Sequence, residues 1–350
     1  MEKREPSPAT LAIHGDAETG AMADVSPPLH LSTTFRTGND DGLVYAREDQ
    51  PTRRRVEAVL GRLEGGTALM YSSGQAALAA LLDHVRPRRV LMGEGGYYQS
   101  RDLIQHKGAL TEPLGVEVQE GDLIWLETPQ NPLGTVYPIA AWADRARSAG
   151  ALLAVDSTLA TPVLQQPLHH GADFVMHSTT KFISGHSDAL GGVLVTADEE
   201  RAGRLQKERT LTGAVPGALE TWLTLRSLRS LVCRMETHDR NALEIATWFK
   251  VRGLPVFYAG LHEGGQLEVF SAQMRGGGGI VSVDFGNEKK ARALGARLRY
   301  WQDATSLGGA ESLVDWRYPY DPSLPPGLLR FSVGLEDPAD LIADLEQALS

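Results

Sequence analysis

The chain has 350 residues; 34 Lys and Arg against 44 Asp and Glu give a formal net charge of −10, with 42% hydrophobic residues and a single cysteine. That length predicts about two domains, and one cysteine excludes an intrachain disulfide or a multi-thiolate metal centre and points to a reducing, cytoplasmic setting. The acidic balance argues against nucleic acid as a partner, and the charged start Met1–Pro6 and the short apolar runs predict neither secretion nor membrane insertion.

Residues 1–50 mix Pro, Thr, Ser, Gly and Asp with few periodic apolar positions, and read as an extended N-terminal arm that packs on something else. From Thr52, the spacing of Val56, Val59, Leu60 and Leu63 predicts a helix stopped by Gly65-Gly66. A second helix follows Ser72-Ser73-Gly74, with Ala76, Leu78, Leu81 and Leu82 as its apolar face. Short apolar runs then alternate with helical stretches such as Ile139 to Ser148. The runs Val90–Met92, Leu123–Leu126, Leu152–Val155, Phe174–Met176 and Val193–Val195 read as strands buried on both faces. This alternation predicts an α/β fold with a mostly parallel central sheet over residues 51–230.

Beyond Pro216 a helical stretch from Leu219 to Phe249 carries the expected domain boundary, leaving 231–350 as a smaller α+β domain. Strands are expected near Val256–Tyr258, Ile280–Asp284 and Leu329–Val333, and a helix from about Lys289. The last helix has Asp337 as N-cap, Pro338 at its first position and the apolar spacing Leu341, Ile342, Leu345, Leu349.

Ligands of open α/β sheets gather beyond the carboxyl ends of strands. Four such places carry polar groups: the turn Tyr71–Gly74, Glu127–Pro132, Asp156-Ser157-Thr158 and His177–Lys181. An acid there can hold a pyridinium nitrogen, a lysine can join an aldehyde, and the helix start at Ser73, Gly74 and Gln75 can bind phosphate. Pyridoxal phosphate needs this set. It also needs an aromatic cover for its ring, and Tyr97 or Tyr98 follows another strand end.

The stretch Val155–Gly192, VDSTLATPVLQQPLHHGADFVMHSTTKFISGHSDALGG, closely resembles the cofactor-lysine region of the Cys/Met-metabolism family of pyridoxal-phosphate enzymes. Tyr45-Ala46-Arg47, Leu63–Gly66, Glu127–Pro132, Ser306–Ser312 and Leu329–Glu336 extend the resemblance over nearly the whole chain. It implies a fold-type I enzyme with Lys181 as the lysine that carries the cofactor and moves protons, and Asp156 as the partner of the ring nitrogen. Tyr97 is implied as the stacking tyrosine and, with Lys181, as a catalytic residue; Tyr98 is its alternative. Ser73, Gly74, Gln75, Ser178 and Thr180 form the implied phosphate cup. Asn131, Ser306 and Arg330 are implied to face the amino-acid substrate, Arg330 by binding the substrate's carboxylate. Tyr45 and Arg47 would reach the phosphate of a neighbouring subunit, in a homo-oligomer expected to be a tetramer built from two dimers.

Within the family, Ser306-Leu307-Gly308-Gly309 resembles the γ-carbon members, cystathionine γ-lyase and γ-synthase, more than the Ser-Trp-Gly-Gly form of many bacterial β-lyases. Cystathionine β-lyase, methionine γ-lyase and a non-catalytic cofactor-binding protein are the alternatives. Methionine γ-lyases tend to carry a cysteine after the stacking tyrosine, and this chain does not. A Rossmann-like oxidoreductase is disfavoured because no Gly-x-Gly-x-x-Gly follows a strand.

The chain departs from the family pattern at Gln75, at Ser157, at Tyr98-Gln99-Ser100 and at Asp315–Asp321, the last replacing a longer loop that approaches the substrate. The remaining features have plainer readings. Arg53-Arg54-Arg55 is expected on a subunit interface or solvated face, Gly276–Gly279 as a flexible turn, and Cys233 as a small buried residue. His169, His170, His177 and His186 lack metal-ligand spacing, and His186 and Asp188 are expected to support the lysine loop.

Overall fold

The computed structural model describes residues 5–20 and 24–350; the charged start Met1–Arg4 and positions 21–23 of the arm lie outside them. Within the segment read as extended, α1 (Pro8–His14) is helical and sends Ala12 into the core beside α2 (Pro51–Glu64). Gln50 caps α2 by accepting from Arg53 N, and Gly65, at φ 83°, ends it where the Gly-Gly pair predicts.

The larger layer contains β1 (Thr67–Tyr71), α3 (Gly74–Val85), β2 (Arg89–Met92), α4 (Tyr98–His106), β3 (Leu110–Pro113), β4 (Leu123–Glu127) and α5 (Ile139–Ala149). It continues with β5 (Leu152–Asp156), α6 (Thr161–Leu164), β6 (Phe174–His177), β7 (Gly192–Thr196), α7 (Glu199–Thr212), α8 (Ala218–Leu228) and α9 (Leu231–Val251). Its seven strands run in the order β1-β7-β6-β5-β4-β2-β3. The five from β6 to β3 are parallel, and β7 is antiparallel to both of its neighbours.

Each predicted strand of this sheet forms, because helices cover both faces and side chains pointing either way are buried. Val90 and Met92 meet Ala77, Leu78 and Leu81 on one face, while Leu91, Ile124 and Leu153 meet Trp142 and Ala146 on the other. On α3 it is Ala77, not Ala76, that is fully buried. The stretch expected as one helix from Leu219 to Phe249 is two, α8 and α9. Ser230 Oγ donates to the Ser227 carbonyl at the break, a side chain competing for a helix hydrogen bond.

The smaller layer holds β8 (Val256–Phe257), α10 (Gly264–Gln273), β9 (Ile280–Asp284), α11 (Glu288–Gly295), β10 (Gln302–Asp303), β11 (Leu313–Trp316), β12 (Leu328–Ser332) and α12 (Pro338–Leu349). Its sheet order is β10-β11-β12-β9-β8. Asp337 caps α12 as the sequence predicts, and Leu341, Leu345 and Ala348 face the core while Leu349 is exposed. Helix α9 joins the two layers: Leu231 and Met235 belong to the core of the first, and Ala242, Ile245 and Phe249 to that of the second.

Gly276–Gly279 is not a loose turn. Gly278 N donates to Asp239 Oδ1 (3.0 Å), and Tyr258 Oη donates to the Gly278 carbonyl (3.1 Å), tying this passage to α9. Cys233 is exposed, contrary to expectation, because it lies on the face of α9 turned away from Leu231 and Met235. Arg53 and Arg55 are buried rather than solvated. Arg55 pairs with Asp16 (3.0 Å) and Arg53 Nη1 donates to the Ala46 carbonyl (2.9 Å), so both hold the N-terminal segment against α2. No helix among the described residues is long and apolar enough to cross a membrane.

Candidate active site

Strands β4, β5 and β6 are parallel, and β1 is parallel to them through the intervening antiparallel β7, so all four end on one edge of the sheet. Beyond that edge lies a cavity of about 260 Å³. Its lining includes Ser73, Gly74, Gln75, Tyr97, Asn131, Asp156, Ser178, Thr180 and Lys181, which the sequence nominated. Arg330 and Ser306 approach from the smaller layer.

At the end of β5, buried Asp156 accepts through Oδ1 from Thr158 N (3.0 Å) and Thr158 Oγ1 (2.6 Å). Burial raises its pKa, and the Thr158 hydrogen bonds oppose the rise. Glu127, ending β4, accepts from Tyr97 N (2.7 Å) and Asn131 N (2.8 Å) and is likewise raised, by burial and by the nearby Asp156. Among the described residues neither carboxylate has a salt-bridge partner within 4.0 Å. A cationic ring nitrogen beside Asp156 would supply the missing counter-charge.

At the opposite wall, Ser73 caps α3 by accepting from Ala76 N (3.0 Å), which leaves the first amides of the helix without intrahelical partners. A Cβ on Gly74 would come within 2.9 Å of the Ser178 Cβ, so only glycine admits this close approach of helix start and strand end. Thr180 Oγ1 accepts from Gly191 N (3.0 Å) and also lies 3.2 Å from the Gly191 carbonyl. Exposed amides, small hydroxyls and a helix dipole make a seat for a phosphate. The donor set therefore fits pyridoxal phosphate at both of its charged ends.

Lys181 Nζ donates to Ser306 Oγ at 2.7 Å, linking the two layers across the cavity. Burial, then the Arg330 charge, lowers the Lys181 pKa to about 8. Ser306 sits at φ 80°, a costly conformation for a non-glycine residue, and its carbonyl is held by Arg330 Nη2 (2.6 Å). Just beyond it, a Cβ on Gly308 would lie 2.6 Å from Phe182 N, so glycine is needed for this loop to reach the lysine turn. Buried Arg330 also contacts Asn131 Oδ1 (3.2 Å) and Asp315 Oδ2 (3.0 Å).

Tyr97 is partly exposed at the cavity mouth, where its hydroxyl donates to Gln99 Oε1. Gln75 Nε2 donates to the Gln99 carbonyl (3.0 Å). Tyr45 and Arg47 lie elsewhere. They line a separate groove with Gln50 and Arg53, and Arg47 donates to the Thr210 carbonyl (2.6 Å). Among the described residues no group of His, Cys, Asp and Glu could hold a metal ion, and His177 Nε2 meets Glu64 Oε1 at 2.5 Å with both side chains fully buried. His186 Nδ1 donates to the Ser184 carbonyl (2.6 Å) within the lysine loop.

Sequence reasoning placed Glu127 and Thr158 in polar strand ends and Asp315 and Arg317 in a segment that departs from the family, but gave none of the four a role. The first two follow strand ends and were open to the rule that found Asp156. Asp315 was not, because it stands opposite Arg330 only through the pairing of β11 with β12.

The family described as Cys/Met metabolism PLP-dependent enzyme matches residues 9–350. A cystathionine gamma-synthase of Mycobacterium tuberculosis is 40% identical over 377 residues, covering 98% of this chain and 96% of that protein. A cystathionine gamma-lyase of Bacillus subtilis is 35% identical, covering 97% of this chain and 98% of that one. The solved structure of metB from Corynebacterium glutamicum superposes with a TM-score of 0.93 at 34% identity over 98% of both chains. Matched from residue 9 to its last residue, this chain belongs to the Cys/Met-metabolism family of pyridoxal-phosphate-dependent enzymes, with the fold-type I architecture of that family.

Proposed function

We propose that the enzyme acts at the γ-carbon of a sulfur amino acid, as a cystathionine γ-lyase or γ-synthase. The observation that carries this reading is the contact of Lys181 Nζ with Ser306 Oγ, 2.7 Å, in a cavity that also exposes Asp156 and the start of α3. Leu307 lines the same cavity, which favours the γ-carbon members over those with a tryptophan there.

Bound pyridoxal phosphate supplies a protonated ring that draws electron density from the substrate. The chain's own residues do the rest. Asp156 keeps the ring nitrogen protonated, and Thr158 holds Asp156 in place. Gly74, Gln75, Ser178 and Thr180 seat the phosphate, with Ser73 holding the helix start. Tyr97 covers the ring. Arg330 takes the substrate carboxylate, with Asn131 and Ser306 fixing the guanidinium. Lys181 Nζ takes the proton from the substrate Cα, which requires the neutral amine.

A pH dependence follows. Only neutral Lys181 can take up the cofactor's aldehyde, and its pKa is lowered to about 8, so the amine is cationic below that pH and neutral above it. The rate at which cofactor-free protein gains visible absorption is expected to rise about tenfold per pH unit below that point and to level off above it. A rate still climbing at pH 10 would mean an unperturbed lysine.

Residues 1–50, 51–230 and 231–350 form the arm, the cofactor domain and the C-terminal domain in this proposal; α9 contributes to the cores of both latter parts. Tyr45 and Arg47 act on the cofactor site of a second copy, as their distance from their own cavity supports. Exposed Leu31, Val44 and Tyr45 give the arm the apolar surface for such a contact.

Incubation of the holoenzyme with cystathionine tests the reaction. Release of α-ketobutyrate with cysteine identifies a γ-lyase. Cystathionine formation from an activated homoserine and cysteine identifies a γ-synthase. Pyruvate with homocysteine would replace the proposal with β-carbon chemistry, and inertness toward all of them would overturn it.

A further inference from the structure

Two departures from the family pattern meet in space. Tyr98, which opens α4, stacks on Tyr320 of the short 315–321 segment with ring centroids 6.2 Å apart and planes 20° apart. The Arg317 guanidinium lies 4.9 Å from the centre of that same Tyr320 ring. Its Nη1 donates to Asp315 Oδ2 (2.9 Å), the oxygen that also accepts from Arg330 Nη2 (3.0 Å). Asp315, Arg317 and Arg330 are all buried, at 5%, 6% and 3% exposure.

The charges in this group do not cancel. One carboxylate stands between two guanidiniums, and Arg317 Nε and Arg330 Nε are both buried without a hydrogen-bond partner among the described residues. Were Asp315 paired with Arg330 alone, it would neutralise the arginine and compete with an incoming carboxylate. Sharing Asp315 with Arg317 leaves one net positive charge among these three buried side chains, where a charge-assisted bond to a carboxylate is strong.

We propose that Arg317 is a positioning residue that holds Asp315 off full neutralisation of Arg330, and that the Tyr98–Tyr320 stack anchors Arg317 to the start of α4 through its cation–π contact. The two departures are then one assembly. It builds, from a shorter loop, a carboxylate-binding end for an α-amino acid. This rests on the proposed role of Arg330 and adds a residue to it.

The test compares wild-type holoenzyme with Arg317→Met, Arg317→Lys, Tyr320→Ala and Tyr320→Phe. Equilibrium binding is read by calorimetry with glycine, which has a carboxylate and nothing to eliminate, and with propylamine, which has the amine alone. Arg317→Met is expected to weaken glycine binding about tenfold, the order of one lost charge-assisted interaction, and to leave propylamine binding unchanged. With a sulfur substrate KM rises by a similar factor while kcat stays within about twofold. Tyr320→Ala reproduces part of the loss, and Tyr320→Phe, which keeps the ring, restores wild-type binding; Arg317→Lys falls between wild type and Arg317→Met.

Equal weakening of glycine and propylamine, or a fall in kcat with unchanged glycine affinity, would overturn the positioning role. The functional reading fails separately, when the wild-type enzyme turns over no sulfur amino acid; a preference of wild type for glycine over propylamine that Arg317→Met removes would still stand.

Discussion

Lys181→Ala is expected to yield a folded protein that binds pyridoxal phosphate without the visible absorption of a lysine-linked cofactor, and with kcat on cystathionine lowered by about 10³-fold or more. The reason is positional. The amine is held by Ser306 Oγ at 2.7 Å, in a cavity whose burial already favours its neutral form. Among the described residues no other lysine lines that cavity, so none of them can take its place. Retention of the absorption band, or a loss of less than about tenfold in kcat, would remove Lys181 from the proposed mechanism.

The second large effect concerns stability. Asp315→Ala is expected to cost about 3–5 kcal/mol, because it leaves two buried guanidiniums, Arg317 and Arg330, without the carboxylate they share. Thermal and urea midpoints of the holoenzyme should both fall. Asp315→Asn keeps an acceptor of the same shape but removes the charge, and should fall between wild type and Asp315→Ala. Were Asp315→Ala as stable as wild type, the two guanidiniums would have to be solvated rather than buried.

Legibility in the sequence followed the range of the interaction. The apolar runs such as Leu123–Leu126 and Leu152–Val155 are local patterns that a sheet covered on both faces requires, and each became a strand. Strands β1 and β3 of this sheet were missed, as were β10 and β11 of the smaller one. β1 lies between a helix and a turn that mask its pattern, and β3 sits on the sheet edge with mostly exposed or half-buried residues. Cap residues were readable for the same local reason, as Asp337 and Gly65 illustrate. The solvated-face reading of Arg53–Arg55 failed at Arg53 and Arg55 because burial of an arginine depends on partners such as Asp16, far along the chain.

The sequence by itself determined the central strands with continuous apolar runs and the polar groups waiting at their ends, since these depend on neighbours a few residues apart. It thereby specified a family and a cofactor. Only the tertiary structure decided that Lys181 meets Ser306, that Asp315 stands opposite Arg330, and that Tyr98 stacks on Tyr320. The Asp315–Arg330 meeting depends on the register of β11 on β12, and the other two on packing of the smaller layer over the larger, which closes loops more than a hundred residues long that no local preference encodes.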